Sequence, residues 1–197
     1  MTREIAVTFD YRCPFARNGH EAVINAVREG RMSDVEWRPL AFSLDQAHIP
    51  EGEPPVWERA PGEWGTGTLA LLYGIAVRDT FPDQFFDAHL ALFAARHDHG
   101  LKLGHDDVVR DAVASAGLDP DAVAAEALSG RPLKTLAEEH TEAVEQHAVF
   151  GVPTYIEGDQ AVFIRFMERG RADDLERAVD LIEFARLNEF KRTKIPR

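Results

Sequence analysis

The spacing of apolar residues changes period five times along this chain, and that order limits the folds open to it. Ile5-Ala-Val-Thr-Phe reads as a short buried strand. Ala22, Val23, Ala26 and Val27 then recur at helical spacing, and Gly30 stops the helix. Val35-Glu-Trp-Arg-Pro-Leu returns to a strand pattern, with Val35 and Trp37 on one face. A β-α-β opening of this kind implies two parallel strands joined by a right-handed crossover.

Over residues 66–149 the pattern is helical. Leu69, Leu72, Tyr73 and Ala76 share a face, as do Phe85, Phe86, His89, Leu90 and Phe93. Val108, Val109, Ala112, Val113 and Ala116 form a third stripe, closed by Gly117. Asp119 and Pro120 open the next helix as N-cap and first helical residue. Leu133, Leu136, His140, Ala143, Val144 and His147 mark a last one. "GVPTYIEGDQAVFIRF" then predicts strands over 154–157 and 161–166, turning at Gly158-Asp159. A terminal helix carries Leu175, Ala178, Val179, Ile182 and Ala185.

The order β-α-β, helical block, β-β-α predicts an α/β fold in which both halves build one mixed sheet. Residues 1–42 and 150–197 form the core and 66–149 a helical insertion. Residues 43–65, with four prolines in "HIPEGEPPVWERAPGEWG", form a loop or a lid over the site. Trp57 and Trp64 lie in that loop, where large aromatics are the natural lid residues.

The 197 residues are 45% hydrophobic, enough for a real core, and carry a formal net charge of −12. Such an acidic chain does not suit nucleic acid or an anionic membrane, and the basic stretch 191–197 is too short to reverse that. No apolar run near the start is long enough for a signal core, and none approaches membrane-spanning length. One cysteine cannot form an internal disulfide, so a cytoplasmic location with a reduced thiol is expected.

That cysteine, Cys13, sits between the first strand and the first helix, with Pro14 at the first helical position. Free N–H groups and the helix dipole at that end favour a thiolate. Arg12 and Arg17 flank it and push the same way, while Asp10 opposes them. A stabilised thiolate is a nucleophile for disulfides and electrophiles. The position by itself is equally that of an inert, buried thiol.

Taken together, "FDYRCPFA" (9–16), "GLDPDAV" (117–123) and "AVFGVPTYIEGDQAVF" (148–163) resemble the DsbA branch of the thioredoxin superfamily, in which a helical domain interrupts a thioredoxin-like fold. The resemblance implies that Cys13 is the reactive thiol and that Pro153 is cis and faces it. It also implies that the backbone of Val152 pairs with a bound thiol or peptide. One departure matters. Dithiol members carry Cys-x-x-Cys, whereas Ala16 stands where the resolving cysteine would be. The implied chemistry is therefore a monothiol one, in which no cofactor is tightly bound and an outside low-molecular-weight thiol, glutathione or mycothiol, completes the cycle. The same segments are similar to the 2-hydroxychromene-2-carboxylate isomerases and kappa-class glutathione transferases, where a serine matches Cys13. They are similar too to actinobacterial DsbA-like proteins linked to mycothiol.

Three functions follow as expectations. The first is a thiol-disulfide oxidoreductase or thiol transferase in which Cys13 attacks, Arg12 steadies the thiolate, and Pro14, Phe15, Val152 and Pro153 shape the cleft. Its partners are a small-molecule thiol and a disulfide or electrophile, and a homodimer is compatible with the related isomerases. The second is a glutathione-dependent isomerase or transferase, with Cys13 hydrogen-bonded to a bound thiol. The third is a non-catalytic binding module with a peptide-binding edge. No metal site is expected: His97, His99 and His105 read as a polar loop between helices. His89 reads as a core-edge residue. Phe81, Phe85, Phe86 and Phe93 read as packing, and His147 as a helix-end residue that could approach the thiol cleft.

Overall fold

The computed structural model describes residues 2–189, 191 and 192; most of the basic stretch 191–197 lies outside the described residues. Strand β1 (Arg3–Phe9) leads through helix α1 (Pro14–Arg28) to β2 (Val35–Ala41). The two strands pair in parallel, with Ile5 opposite Trp37 and Val7 opposite Pro39. Strand β3 (Thr154–Glu157) pairs antiparallel with β1, and β4 (Gln160–Phe163) antiparallel with β3. The strand order is β2-β1-β3-β4. Pro39 is tolerated because β2 is an edge strand, where a missing N–H costs no ladder bond. This is the mixed sheet that the order of periods implies, in the thioredoxin-like arrangement that the family resemblance implies.

Strand β1 is buried on both faces. Ile5 and Val7 join Val23, Ala26, Tyr155, Leu175, Val179 and Ile182, so α1 and the last helix, α8 (Ala172–Val179), cover one face. Val35 and Trp37 pack at the edge of that cluster, on one face as their alternation requires. Ala6 joins a larger core, shared with α3 (Thr68–Thr80), α4 (Phe85–His97), α5 (Asp106–Ser115), α6 (Pro120–Ala127) and α7 (Arg131–His147). The helical block is thus continuous with the apolar face of the sheet. Phe85 and Phe93 are buried there, with Phe81 and Phe86 packed against the same core, so the aromatic stripe is packing.

Two boundaries differ from the sequence reading. Strand β4 stops at Phe163 rather than 166, and α8 stops at Val179, with Ile182 buried in the turns that follow. Residues 43–65 are more structured than a Pro-rich composition implies. They hold helix α2 (Leu44–Ala47), capped by the Ser43 hydroxyl, and two 3₁₀ turns at Val56–Glu58 and Pro61–Glu63. Trp64 packs against the main core and its indole N–H donates to the Arg59 carbonyl at 3.2 Å. Trp57 lies 5.6 Å from the His140 ring. Both tryptophans are thereby anchored, which the composition of the loop did not reveal.

Glycines in two helices record close approaches. A Cβ on Gly19 in α1 would meet the Tyr155 hydroxyl at 2.6 Å and Pro153 at 3.3 Å. One on Gly74 in α3 would overlap the Tyr11 ring. Each glycine costs helix propensity of about 1 kcal/mol and allows another element to reach the helix backbone.

Candidate active site around Cys13

The turn between β1 and α1 is built on Asp10. Its side chain has no exposed surface and accepts the backbone N–H groups of Arg12 at 2.8 Å and Leu44 at 2.9 Å. Its carbonyl accepts the Cys13 N–H at 3.0 Å. Burial pushes the Asp10 carboxyl above its ordinary range, and the Arg12 charge and the two backbone donors pull it partly back.

Cys13 then adopts an extended conformation as the N-cap of α1, with Pro14 exposed at the first helical position. Its sulfur accepts the Ala16 N–H at 3.4 Å and lies 3.2 Å from the Val152 carbonyl oxygen, toward which the S–H donates. The thiol is partly exposed. Val152 and Pro153 are buried, and the peptide bond between them is cis. The segment is pinned by Thr154, whose N–H donates to the Thr8 hydroxyl and whose hydroxyl donates to the Gly151 carbonyl, each at 2.8 Å. Cys13, Val152 and Pro153 thus come together from opposite ends of the chain.

The electrostatics depart from the sequence reading. Burial dominates at the sulfur and pushes the Cys13 thiol up; the N–H groups of Ala16 and Phe15 pull it down, and Asp10 adds to the rise. The helix-start effect is present but smaller than the loss of water. Arg12 is not the cation that steadies the sulfur. Its guanidinium lies 2.7 Å from Asp45 and 3.4 Å from Asp10. Arg17 is also committed elsewhere, to Glu21 and Asp98. The cation that lowers the thiol is Arg165, just beyond β4. Its guanidinium carbon stands 5.1 Å from the centroid of the half-buried Phe15 ring and 5.9 Å from that of Phe163. Nothing in the local sequence of Cys13 points to Arg165, because the hairpin brings it in.

Asp45 was equally hidden in the Pro-rich segment. Besides Arg12, it accepts from the Gly67 N–H at 3.3 Å and the Thr68 hydroxyl at 3.2 Å. Asp10, Arg12 and Asp45 therefore tie the cysteine turn, α2 and the start of α3 together.

Behind the turn, the Tyr11 hydroxyl meets His89 Nδ1 at 2.7 Å, His89 Nε2 meets His20 Nδ1 at 3.0 Å, and His20 Nε2 meets the Thr8 carbonyl at 3.3 Å. The carbonyl only accepts, so His20 Nε2 donates; His89 Nε2 then donates to His20 and Tyr11 donates to His89. Every polar atom of the chain is used with both rings neutral. Burial holds His20 down at about 4 and His89 well below its ordinary value. His89 is thus a fully buried link rather than a core-edge residue. His97 ends α4 and its Nε2 donates to the Tyr11 carbonyl at 2.9 Å, so it supports the cysteine turn. His105 lies apart from it, before α5. His147 ends α7 with its Nδ1 buried and without a hydrogen-bond partner among the described residues.

Among the described residues, no group of three or more His, Cys, Asp or Glu could hold a metal ion, and no helix is long and apolar enough to cross a membrane. A cavity of about 470 Å³ lies between Trp64, Leu69, Lys102, His105 and Leu128.

No curated protein matches the sequence. Solved structures do match the fold. DsbA from Pseudomonas aeruginosa superposes with a TM-score of 0.65 at 19% identity, over 94% of this chain and 84% of that one. A thioredoxin-like oxidoreductase from Silicibacter pomeroyi gives 0.61 at 18%, over 92% and 86%. BdbD from Bacillus subtilis gives 0.63 at 14%, over 91% and 86%. The family model for the DSBA-like thioredoxin domain matches residues 70–180, a span that takes in most of the helical block, the Val152–Pro153 segment and the hairpin. With the thioredoxin-like sheet and the cysteine at the start of α1, that match establishes that this chain belongs to the DsbA-like thioredoxin domain family.

Proposed function

We propose that the protein is a thiol-disulfide oxidoreductase or thiol transferase that works by a monothiol mechanism. The observation that carries this reading is the placement of one partly exposed sulfur between the first N–H groups of α1 and the backbone of Val152, with Ala16 where a second thiol would resolve the reaction. The resting thiol, raised by burial, gives up its proton to water as the substrate arrives. The Cys13 thiolate attacks one sulfur of a disulfide, the old S–S bond breaks, and one thiolate leaves. The Ala16 and Phe15 N–H groups steady the charge on Cys13. An external low-molecular-weight thiolate of the glutathione or mycothiol type then attacks the sulfur of the substrate portion and releases Cys13 as a thiolate. The overall change exchanges one disulfide for another. The cytoplasm, where such thiols keep Cys13 reduced, is the compartment that suits it.

Incubation of the protein with glutathione disulfide and with mycothiol disulfide, followed by intact-mass analysis, tests the reading. A single adduct on the native protein that an added thiol removes, and that Cys13→Ser lacks, is the expected result. Absence of an adduct without denaturant rejects the exchange mechanism.

The S–H directed at the Val152 carbonyl favours one further reading, the isomerase type, in which a protonated Cys13 donates a hydrogen bond to a bound thiolate cofactor. That role survives Cys13→Ser, whereas exchange does not.

A further inference from the structure

The exposed side of the thiol is bordered by a small aromatic platform. Phe15 comes from the first turn of α1 and Phe163 from the end of β4, while Phe150 lies 71% exposed with its ring 5.0 Å from that of Phe163. The platform abuts the sulfur through the backbone. A Cβ on Gly151 would meet Phe163 at 3.5 Å, and Gly151 precedes Val152, whose carbonyl faces Cys13. The exposed guanidinium of Arg165 stands over Phe15 and Phe163. Among the described residues it has no salt bridge to any carboxylate, whereas Arg3, Arg12, Arg17, Arg31, Arg78 and Arg169 each pair with two. In a chain of net charge −12, a cation left unpaired and held over aromatic rings beside the one thiol is a charge reserved for something outside the chain.

We infer that Arg165 is the specificity-determining residue of the site and that the preferred small-molecule substrate is a disulfide bearing a carboxylate. The carboxylate pairs with the guanidinium fork, and the apolar part of the molecule lies on Phe15, Phe163 and Phe150. The substrate sulfur is thereby brought to Cys13. The chemistry is the exchange already described: one Cys13–sulfur bond forms, one substrate S–S bond breaks, and the leaving thiolate carries the electron pair away. This inference rests on the exchange reading and adds the class of substrate. It favours a carboxylate-bearing thiol such as glutathione over a neutral sugar-based thiol such as mycothiol.

The test compares three disulfides of different charge: 5,5′-dithiobis(2-nitrobenzoate), which is anionic, bis(2-hydroxyethyl) disulfide, which is neutral, and cystamine, which is cationic. Rates of Cys13 modification are measured in wild type, Arg165→Gln and Arg165→Lys. Taking the ratio of the anionic to the neutral rate cancels any change in the thiolate fraction, which a merely electrostatic effect on the sulfur would produce. The ratio is expected to fall about threefold to fivefold in Arg165→Gln, the range of an exposed ion pair, to be partly kept in Arg165→Lys, and to shrink with added salt. A ratio unchanged by Arg165→Gln overturns the inference. Binding of S-methylglutathione, which cannot exchange, separates the two claims. Exchange with no Arg165-dependent binding rejects the carboxylate site and leaves the exchange reading standing. Arg165-dependent binding with no exchange supports the carboxylate site and rejects the exchange reading.

Discussion

The sulfur of Cys13 lies 3.2 Å from the carbonyl oxygen of Val152, although 139 residues of chain separate the two. A carbonyl can only accept, so this contact favours the protonated thiol, and burial acts in the same direction. The reaction of Cys13 with uncharged iodoacetamide, followed against pH, is therefore expected to inflect above the value of a free cysteine. Arg165→Gln moves that inflection further up, because it removes a cation that lowers the thiol. An inflection below pH 7 would show instead that the thiolate is the resting form.

Breaking the Asp10–Arg12 pair from its two ends has unequal costs. Arg12→Ala leaves a carboxylate without exposed surface and without its cation, and is expected to destabilise by about 3 kcal/mol at pH 7. Asp10→Asn costs less, because an amide oxygen still accepts the N–H groups of Arg12 and Leu44 and Arg12 keeps Asp45. The Asp10 carboxyl is raised in the fold, so its contribution is complete below the ordinary value of 3.8 and is lost as pH rises through the folded value. Urea denaturation should accordingly show Asp10→Asn gaining on wild type from pH 4 to pH 7. A constant difference would contradict the raised carboxyl.

Three neutral histidines make the fold sensitive to acid. His20 and His140 are both held at about 4, and His89 lies well below its ordinary value. Each is depressed, so the stability it supports is complete above about pH 6.5 and falls as pH drops toward the folded value. The slope is about 1.4 kcal/mol per pH unit for each histidine. His140→Gln keeps an acceptor for the Ser43 N–H, 3.2 Å from His140 Nδ1, and should remove one histidine's share of the slope between pH 6 and 4.5. Equal slopes for wild type and variant would rule out a neutral buried His140.

The Tyr155 hydroxyl is buried, has no hydrogen-bond partner among the described residues and rests against Gly19. Tyr155→Phe removes that unsatisfied group and is expected to raise stability by about 1 kcal/mol in thermal or urea unfolding. Gly19→Ala alone is destabilising, and its cost is expected to shrink in the Tyr155→Phe background, where the 2.6 Å approach disappears. Strict additivity of the two changes would mean that the hydroxyl does not limit the approach of β3 to α1.

How much of the site was legible follows from the range over which each signal acts. Cys13 and Pro14 were readable because a helix start is a local event, settled by a few residues and by which backbone N–H groups stay free. The cis peptide and the pairing of Cys13 with Val152 entered only through family resemblance, since no local pattern joins residues 13 and 152. Arg12 was misread for a related reason. Nearness in sequence put it beside the thiol, but the turn directs it to Asp10 and to Asp45. The tryptophans of 43–65 looked like a lid because composition does not report that Trp64 reaches the core.

The sequence by itself determined the order of strands and helices, the helix that begins at the one cysteine and the lack of a second thiol to resolve a disulfide. These rest on apolar periodicity, capping and residue count, which act over one or two turns of chain. Tertiary structure decided the electrostatics of the thiol and the cation beside it. Both depend on how much water the packed sheet and helices exclude and on which distant side chains fill that space, and the hairpin that delivers Arg165 to Phe15 is fixed only when β3 pairs with β1.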